Sequence, residues 1–304
     1  MAAKTIIALF ISFLTSSTVA AADTLTVAFV GDVMLDRGVR ERIRYSRADA
    51  LFSTGVDSLF ATADRVVANL ECPATEIVAP VFKRFVFRAE PSWLPVLRRH
   101  GITHLNLANN HSIDQGRMGL MSTIAHIRAA GMTPFGADST LAAANQPLLL
   151  ASSPRRVYVL ASVQMVLENF AFLPAKPTVS QQSIDSLCTR IRQLKASDPD
   201  CCVIVNLHWG LEHRTKPAMQ QKTDAHRLVD AGADAVVGHH THTLQTVETY
   251  RGHPVWYSLG NFIFDPKKPV NRRGAVALLH ITRESVSAET IETEISNCVP
   301  FVFF

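Results

Sequence analysis

The 304-residue chain is 47% hydrophobic and 18% charged, an ordinary globular balance that allows one large α/β domain or two small ones with a sizeable core. Its formal charge of +4 favours an anionic ligand but falls short of a nucleic-acid footprint. No RRM, KH, zinc-finger or basic-helix pattern occurs, so nucleic acid is excluded as a partner.

At the start of the chain, Lys4 precedes the apolar run Ile6 to Leu14, which gives way to a small-residue stretch ending in Ala20, Ala21 and Ala22. This is the pattern of a secretory signal over residues 1–22 with an Ala-x-Ala cleavage site. An uncleaved anchor is the alternative, since a bilayer span needs ~20 apolar residues and the tail of the run extends towards that length. Residues 23–304 are then expected to form a single exported domain, periplasmic or extracellular, touching a membrane only where the leader is retained.

Strands are predicted at 25–31, 66–70, 103–107, near 148–151, 156–162, 202–207, 234–237, 245–249, 254–259 and 274–282. Helices are predicted around 37–48, from Pro91 to about residue 99, around 116–130, at 180–196 and at 217–231. Strands alternating with helices indicate βαβ units, and the hairpin-like series after His242 adds antiparallel strands, so the fold is α/β with a mixed sheet or two stacked sheets. The stretch Leu167–Ser180, with Pro174 and Pro177, is a surface loop with a lid as the functional alternative. The terminal VPFVFF is a sheet-edge strand in preference to a docking strand. Five cysteines, Cys72, Cys188, Cys201, Cys202 and Cys298, leave one over in an exported protein. They form no CxxC pair, which argues against a disulfide framework while leaving one bridge from Cys188 to the Cys201/Cys202 pair open.

Four of the apolar runs end on a polar residue suited to metal binding or acid/base work: Asp32 in VGDVML, Asn110 and His111 in NLANNHSIDQG, His208 in VNLHWG, and His239, His240 and His242 in GHHTH. Ligands collect beyond the carboxyl ends of such strands, so one crevice lined by Asp, Asn and His is expected. Taken singly, each has a plain structural reading: Asp32 as a helix cap, Asn110 as a turn residue, Glu71 in NLECP as a turn carboxylate. GHHTH is the strongest signal, because each buried imidazole needs partners for its ring nitrogens. In an extended segment His240 and His242 point the same way, towards one cation or two adjacent ones, with His239 on the other side supporting them. Glu71 could bridge two ions, Asn110 offers a neutral oxygen, and His111 could hand over a proton if Asp114 fixes its tautomer. His213, His226, His253 and His280 have no partner pattern and are assigned to surface or structural roles.

Read in order, GDVML, NLE, LANNHSIDQG, HWGLE, GHHTHTLQ and YSLGNFIFD resemble the motif series of the CapA-type poly-gamma-glutamate (capsule) synthesis proteins, a branch of the calcineurin-like metallophosphoesterase superfamily. The likeness spans about residues 26–265, and FVFRAEP and PFGAD fit it. It implies a two-layer β sandwich flanked by helices, a four-layer architecture, with a divalent metal centre at the strand ends. Asp32 matches the leading metal aspartate and Glu71 the bridging acid. Asn110 and His111 match the Asn-His pair, and His208, His240 and His242 the remaining histidines. Met34 stands where the superfamily places a further histidine, so the centre is expected to hold one ion, or two with a substitute such as Asp36.

The mixed N/O donor set suits manganese, iron or zinc, one or two ions. Arg88 is expected to dock phosphate or carboxylate, while Lys83 and Arg84 are assigned to a solvated strand face. The function expected is an exported metal-dependent hydrolase of the metallophosphoesterase type. Its substrate is an envelope phosphoester or an anionic polymer of capsule or poly-gamma-glutamate metabolism, and its setting an envelope polymer synthase complex. The alternative is a non-hydrolytic polymer-handling component of an assembly or export system. Met34 favours that role; the otherwise full ligand set opposes it.

Overall fold

Successive side chains leave a strand on opposite faces, and this alternation in Leu25–Val33 sets the layering. Leu25, Val27 and Phe29 enter one apolar cluster and Ala28 and Val30 another. The computed structural model describes residues 24–303; the leader expected at 1–22 lies outside the described residues. Among the described residues no helix is long and apolar enough to cross a membrane.

The first sheet has a parallel centre of Leu25–Val33, Arg65–Leu70, His104–Asn106 and Thr133–Phe135, extended by the antiparallel strands Arg273–Ile281, Val286–Ser296 and Val299–Val302. In the second, Val157–Val163, Cys202–His208, Ala235–His239 and His253–Trp256 run parallel, with antiparallel edges at Leu148–Ala151 and Val247–Tyr250. The inner faces meet through Val27, Phe29 and Val67 on one side and Val159, Ile204, Val237 and Trp256 on the other. Helices Arg37–Ser46, Thr54–Phe60, Leu94–Arg99 and Gly116–Ala129 cover the outer face of the first sheet through Ile43, Val56, Leu97 and Ile124. Ile184–Ser197 and Met219–Asp230 cover the second through Leu187, Ile191 and Leu228. This helix–sheet–sheet–helix order is the four-layer α/β architecture expected.

The predicted strand 254–259 ends early, at Trp256, and a further strand that was not predicted follows it. His253–Trp256 joins the second sheet, and Asn261–Ile263 crosses to pair with Leu25–Val33 in the first. The apolar run VWYSLGNFIF hides this switch, because a residue buried against either sheet is equally apolar; Gly260, at φ +68°, is the one local sign. The helix predicted from residue 180 starts at Ile184, where the Ser183 side chain accepts from Ser186 N. Val286–Ser296 has mostly exposed side chains and so lacks the apolar pattern that would have announced it. The chain end does form an edge strand, Val299–Val302, and residues 167–180 are largely loop, closing with Thr178–Val179 against Ala137–Asp138. All five cysteines are buried and unpaired, so the Cys188 bridge is not made.

His104, 8% exposed in its strand, gives a stability test. Burial, aided by the Arg65 charge, lowers its pKa from 6.5 to about 4. The unfolded chain takes up this proton at the higher pH, so stability is whole above pH 6.5, falls as pH drops from 6.5 towards 4, and levels off below. The wild type should lose about 3 kcal/mol more than His104→Gln across that interval in urea titrations. Parallel curves for the two proteins would refute the assignment.

Candidate metal centre

Two glycines let a crossing segment lie over the strand ends. A Cβ at Gly31 would sit 2.1 Å from the Gly260 carbonyl oxygen, and one at Gly238 would sit 2.0 Å from the Tyr257 carbonyl oxygen; only glycine allows such approach. Residues 257–261 therefore pack against the ends of Leu25–Val33 and Ala235–His239, with Asp32 N donating to Gly260 O at 2.9 Å. The residues just beyond, Asp32 from one sheet and His239 to His242 from the other, are brought face to face.

Two groups of three converge there: Glu71 with His208 and His240, and Asp32 with Glu71 and His242. Within each, one donor atom per residue lies within 4.8 Å of the others, and all are buried. Glu71 belongs to both, its Oε1 3.4 Å from His208 Nε2 and its Oε2 3.7 Å from His242 Nδ1. Asp32 Oδ2 lies 3.2 Å from His242 Nδ1, and His240 Nδ1 lies 3.1 Å from His208 Nε2. Asn110 Oδ1, 2.9 Å from His208 Nε2, adds a neutral oxygen to the first group. His239 stands behind, its Nδ1 3.5 Å from Asp32 Oδ1.

The convergence of His240 and His242 has a different cause from the one expected. Residues 240–243 are a bend beyond the strand, with His240 at φ +88° and His242 at φ +56°. Left-handed backbone at a non-glycine residue costs of order 1–3 kcal/mol, and such strain gathers at functional sites. It sends the two rings, 6.0 Å apart, to different groups.

The electrostatics are unbalanced in the way a cation corrects. Burial, together with the neighbouring Asp32 charge, raises Glu71 well above the usual carboxylate range. Burial also pushes Asp32 up, but the adjacent His239 and His242 imidazoles outweigh it and hold Asp32 well below that range. His242 is lowered by burial yet carried up to about 9 by Glu71 and Asp32, whereas burial and His242 take His240 down to about 4. Both Glu71 oxygens are buried without a hydrogen-bond donor, an arrangement that costs several kcal/mol unless a charge compensates. The nitrogen and oxygen donors fit a divalent metal.

Sequence reasoning missed the amides that hold this cluster. Asn69 donates to Asp32 Oδ1 at 2.8 Å, and its own carbonyl oxygen accepts from Asn106 and Asn109, each at 3.1 Å. Asn261 Oδ1 lies 3.0 Å from His242 Nδ1. Their signal was position alone, at the ends of apolar runs.

His111 Nδ1 lies 2.9 Å from Asp114 Oδ2, as expected of an oriented imidazole, with Phe87 against its ring at 4.5 Å. Lys83 corrects its assignment to a solvated face: its side chain is 4% exposed, and Nζ lies 2.5 Å from Asp114 Oδ1 and 2.9 Å from the Asn110 carbonyl. Arg84 beside it is exposed, as expected.

Three further corrections concern neighbouring residues. Arg88 gives its guanidinium to Glu90 and to the Thr75 carbonyl, each at 2.8 Å, and does not line the cavity over the cluster. Arg37 lines it instead, bonded to Asp265. Asp36 is no substitute ligand: it caps the Arg37–Ser46 helix and accepts from Arg40 Nε at 2.8 Å and Arg88 N at 2.9 Å. Met34 is fully buried in the apolar core, its sulfur accepting from Asp36 N at 3.0 Å, and the Asp32–Glu71–His242 group closes without it. His213, expected to be structural or on the surface, lines the cavity with His111 and His242.

The sequence model described as "Bacterial capsule synthesis protein PGA_cap" matches residues 26–266. The PGA biosynthesis protein CapA of Bacillus subtilis (strain 168) is 30% identical over 264 residues, covering 86% of this chain and 69% of that protein. The capsule biosynthesis protein CapA of Bacillus anthracis is 31% identical over 267 residues, covering 85% and 64%. This chain thus spans about two thirds of the length of both relatives. Among solved structures, Haemophilus influenzae NAD nucleotidase (NadN) matches with a TM-score of 0.53 at 11% identity, over 90% of this chain and 50% of that one. The Thermus thermophilus sulfate thiohydrolase SoxB matches with a TM-score of 0.52 at 9% identity, over 88% and 56%. At such identities the likeness is one of fold.

Glu71→Gln should remove most of the bound metal, measured by elemental analysis, because the residue common to both groups loses its charge. The metal-free variant should melt no lower than the metal-free wild type, since an undonated buried carboxylate is gone. Full metal content in the variant would exclude Glu71 as a ligand.

Proposed function

This chain belongs to the bacterial capsule synthesis protein PGA_cap family, and from that premise we propose that it is an exported metal-dependent hydrolase of the phosphoesterase type serving capsule or poly-gamma-glutamate metabolism. The observation that carries this reading is the pair of three-residue groups sharing Glu71 beside an oriented histidine. Glu71, His208 and His240, with Asn110, would hold one ion, and Asp32, Glu71 and His242 a second; manganese, iron or zinc suits the donors. When bound, such ions supply Lewis-acid charge that polarises a phosphoryl group and makes water more acidic.

The chain's own residues manage the proton. Burial holds His111 below the ordinary histidine range, outweighing its hydrogen bond to Asp114, so the ring is neutral at pH 7. In the tautomer that donates Nδ1–H to Asp114, Nε2 is left as the acceptor. His111 therefore enters as a proton acceptor, and the proton it gains is the one it returns to the leaving oxygen. Water adds across the P–O bond, giving an alcohol and a phosphate. Lys83, bonded to Asp114 and the Asn110 carbonyl, keeps the pair in register.

The polymer-handling alternative draws on Met34; weighing against it, three candidate ligands, Asp32, Glu71 and His242, converge without that position. The deciding experiment combines elemental analysis with p-nitrophenyl and bis-p-nitrophenyl phosphate assays. Two transition-metal ions per chain and turnover abolished by His240→Ala are expected; one ion or none, without turnover under added manganese or zinc, would favour polymer handling. His111→Ala should lower kcat by about 10²–10⁴-fold at unchanged metal content. Export rests on residues 1–22, and mass spectrometry of the secreted protein should find Asp23 as the first residue; an intact Met1 would indicate a retained anchor.

A further inference from the structure

The cavity wall narrows the substrate class, on the hydrolase reading above. Two cavities meet at Phe85, His111 and Glu212. One, of about 230 Å³, continues along Phe87 and Phe264, and the other, of about 280 Å³, along Val166 and Leu211. Val166 is 91% exposed, Leu211 61% and Phe85 49%, and the neighbouring Phe82 is 90% exposed. The loops bearing Phe82 and Val166 are tied together, Asn169 donating to the Phe82 carbonyl. Single exposed apolar side chains are ordinary, but several gathered at the mouth of a polar site mark a contact surface.

The charges point the same way. A polyglutamate strand carries a carboxylate on every residue and calls for a basic groove. Here Arg37 is spent on Asp265 and Lys83 on Asp114, Glu212 stands at the junction, and Lys267 and Lys268 line the first cavity and not the second. We infer that the substrate is an amphiphilic phosphoester, with one anionic phosphoryl group at the His111–Glu71 end and an apolar chain lying over Phe85, Val166 and Leu211. Water adds across the P–O bond as before; the apolar portion takes no part in the chemistry and contributes binding.

The test uses alkyl p-nitrophenyl phosphates from methyl to octyl, kept below their aggregation concentrations, with the full chain loaded with manganese or zinc. kcat/KM should rise about two- to fourfold per methylene until the patch is covered. The gain should be lost in Val166→Ser/Leu211→Ser, whose sites are exposed and so do not endanger folding. A gain that is absent in the wild type, or unchanged in the double variant, overturns the inference. Calorimetric binding of octyl phosphate, methyl phosphate and an oligo-γ-glutamate separates this inference from the hydrolase reading. Octyl phosphate binding at least tenfold tighter than methyl phosphate, with the advantage lost in the double variant, supports the amphiphile even if no ester is turned over. Equal affinities, or tighter binding of the oligo-γ-glutamate, refute it even if every ester is hydrolysed.

Discussion

Two buried carboxylates, Asp32 and Glu71, stand side by side among four imidazoles, and most of the surrounding structure exists to keep them there. Isolated buried charge costs many kcal/mol, so such a pair persists only where hydrogen bonds and opposite charges surround it. Asn69, His239 and His242 serve Asp32. Glu71 has no donor of its own, and this inequality is the clearest sign that a cation belongs between the groups. The left-handed backbone at His240 and His242 is a second cost carried at the same place. It is sustained by a rigid four-layer scaffold whose strand ends are fixed by close backbone contacts at Gly31 and Gly238.

What the sequence made legible follows from this arrangement. Asp32, Glu71, Asn110, His208, His240 and His242 stood out as polar residues at or just beyond the ends of apolar runs, and the resemblance of their motifs, taken together, singled them out as a set. His111 and Asp114 followed from spacing. Lys83 was illegible, because it lies between exposed Phe82 and exposed Arg84 in a segment without periodicity, and only tertiary packing buries it under Asn110 and Asp114. Arg88 misled for the converse reason: a basic residue in a matching motif says nothing of its partners, and Glu90 and Thr75 take its donors. The βαβ order was readable from alternating periods, whereas the passage of residues 253–263 from one sheet to the other was not, since both sheets ask for the same apolar residues.

Membership of a capsule-synthesis family and a fold shared with an NAD nucleotidase and a sulfate thiohydrolase are complementary facts. The first gives a biological setting, and the second a scaffold that places ligands from two sheets at one seam. The rim of that seam is built by loops, where change is tolerated without disturbing the strands beneath. On the hydrolase reading proposed above, the contrast between a highly polar floor and an apolar mouth is where substrate preference would be set.

The seam has a consequence for how the protein matures. Its two walls lie far apart in the chain: His240 N approaches Asp32 Oδ2 across 208 positions. Such long-range closure comes late in folding, so no complete cage exists until synthesis has passed residue 242 and both sheets have stacked. An ion would thus be acquired only after both sheets have come together. Because similar N/O sites choose among divalent metals largely by what is available, the compartment in which folding ends would decide which metal such a site takes up.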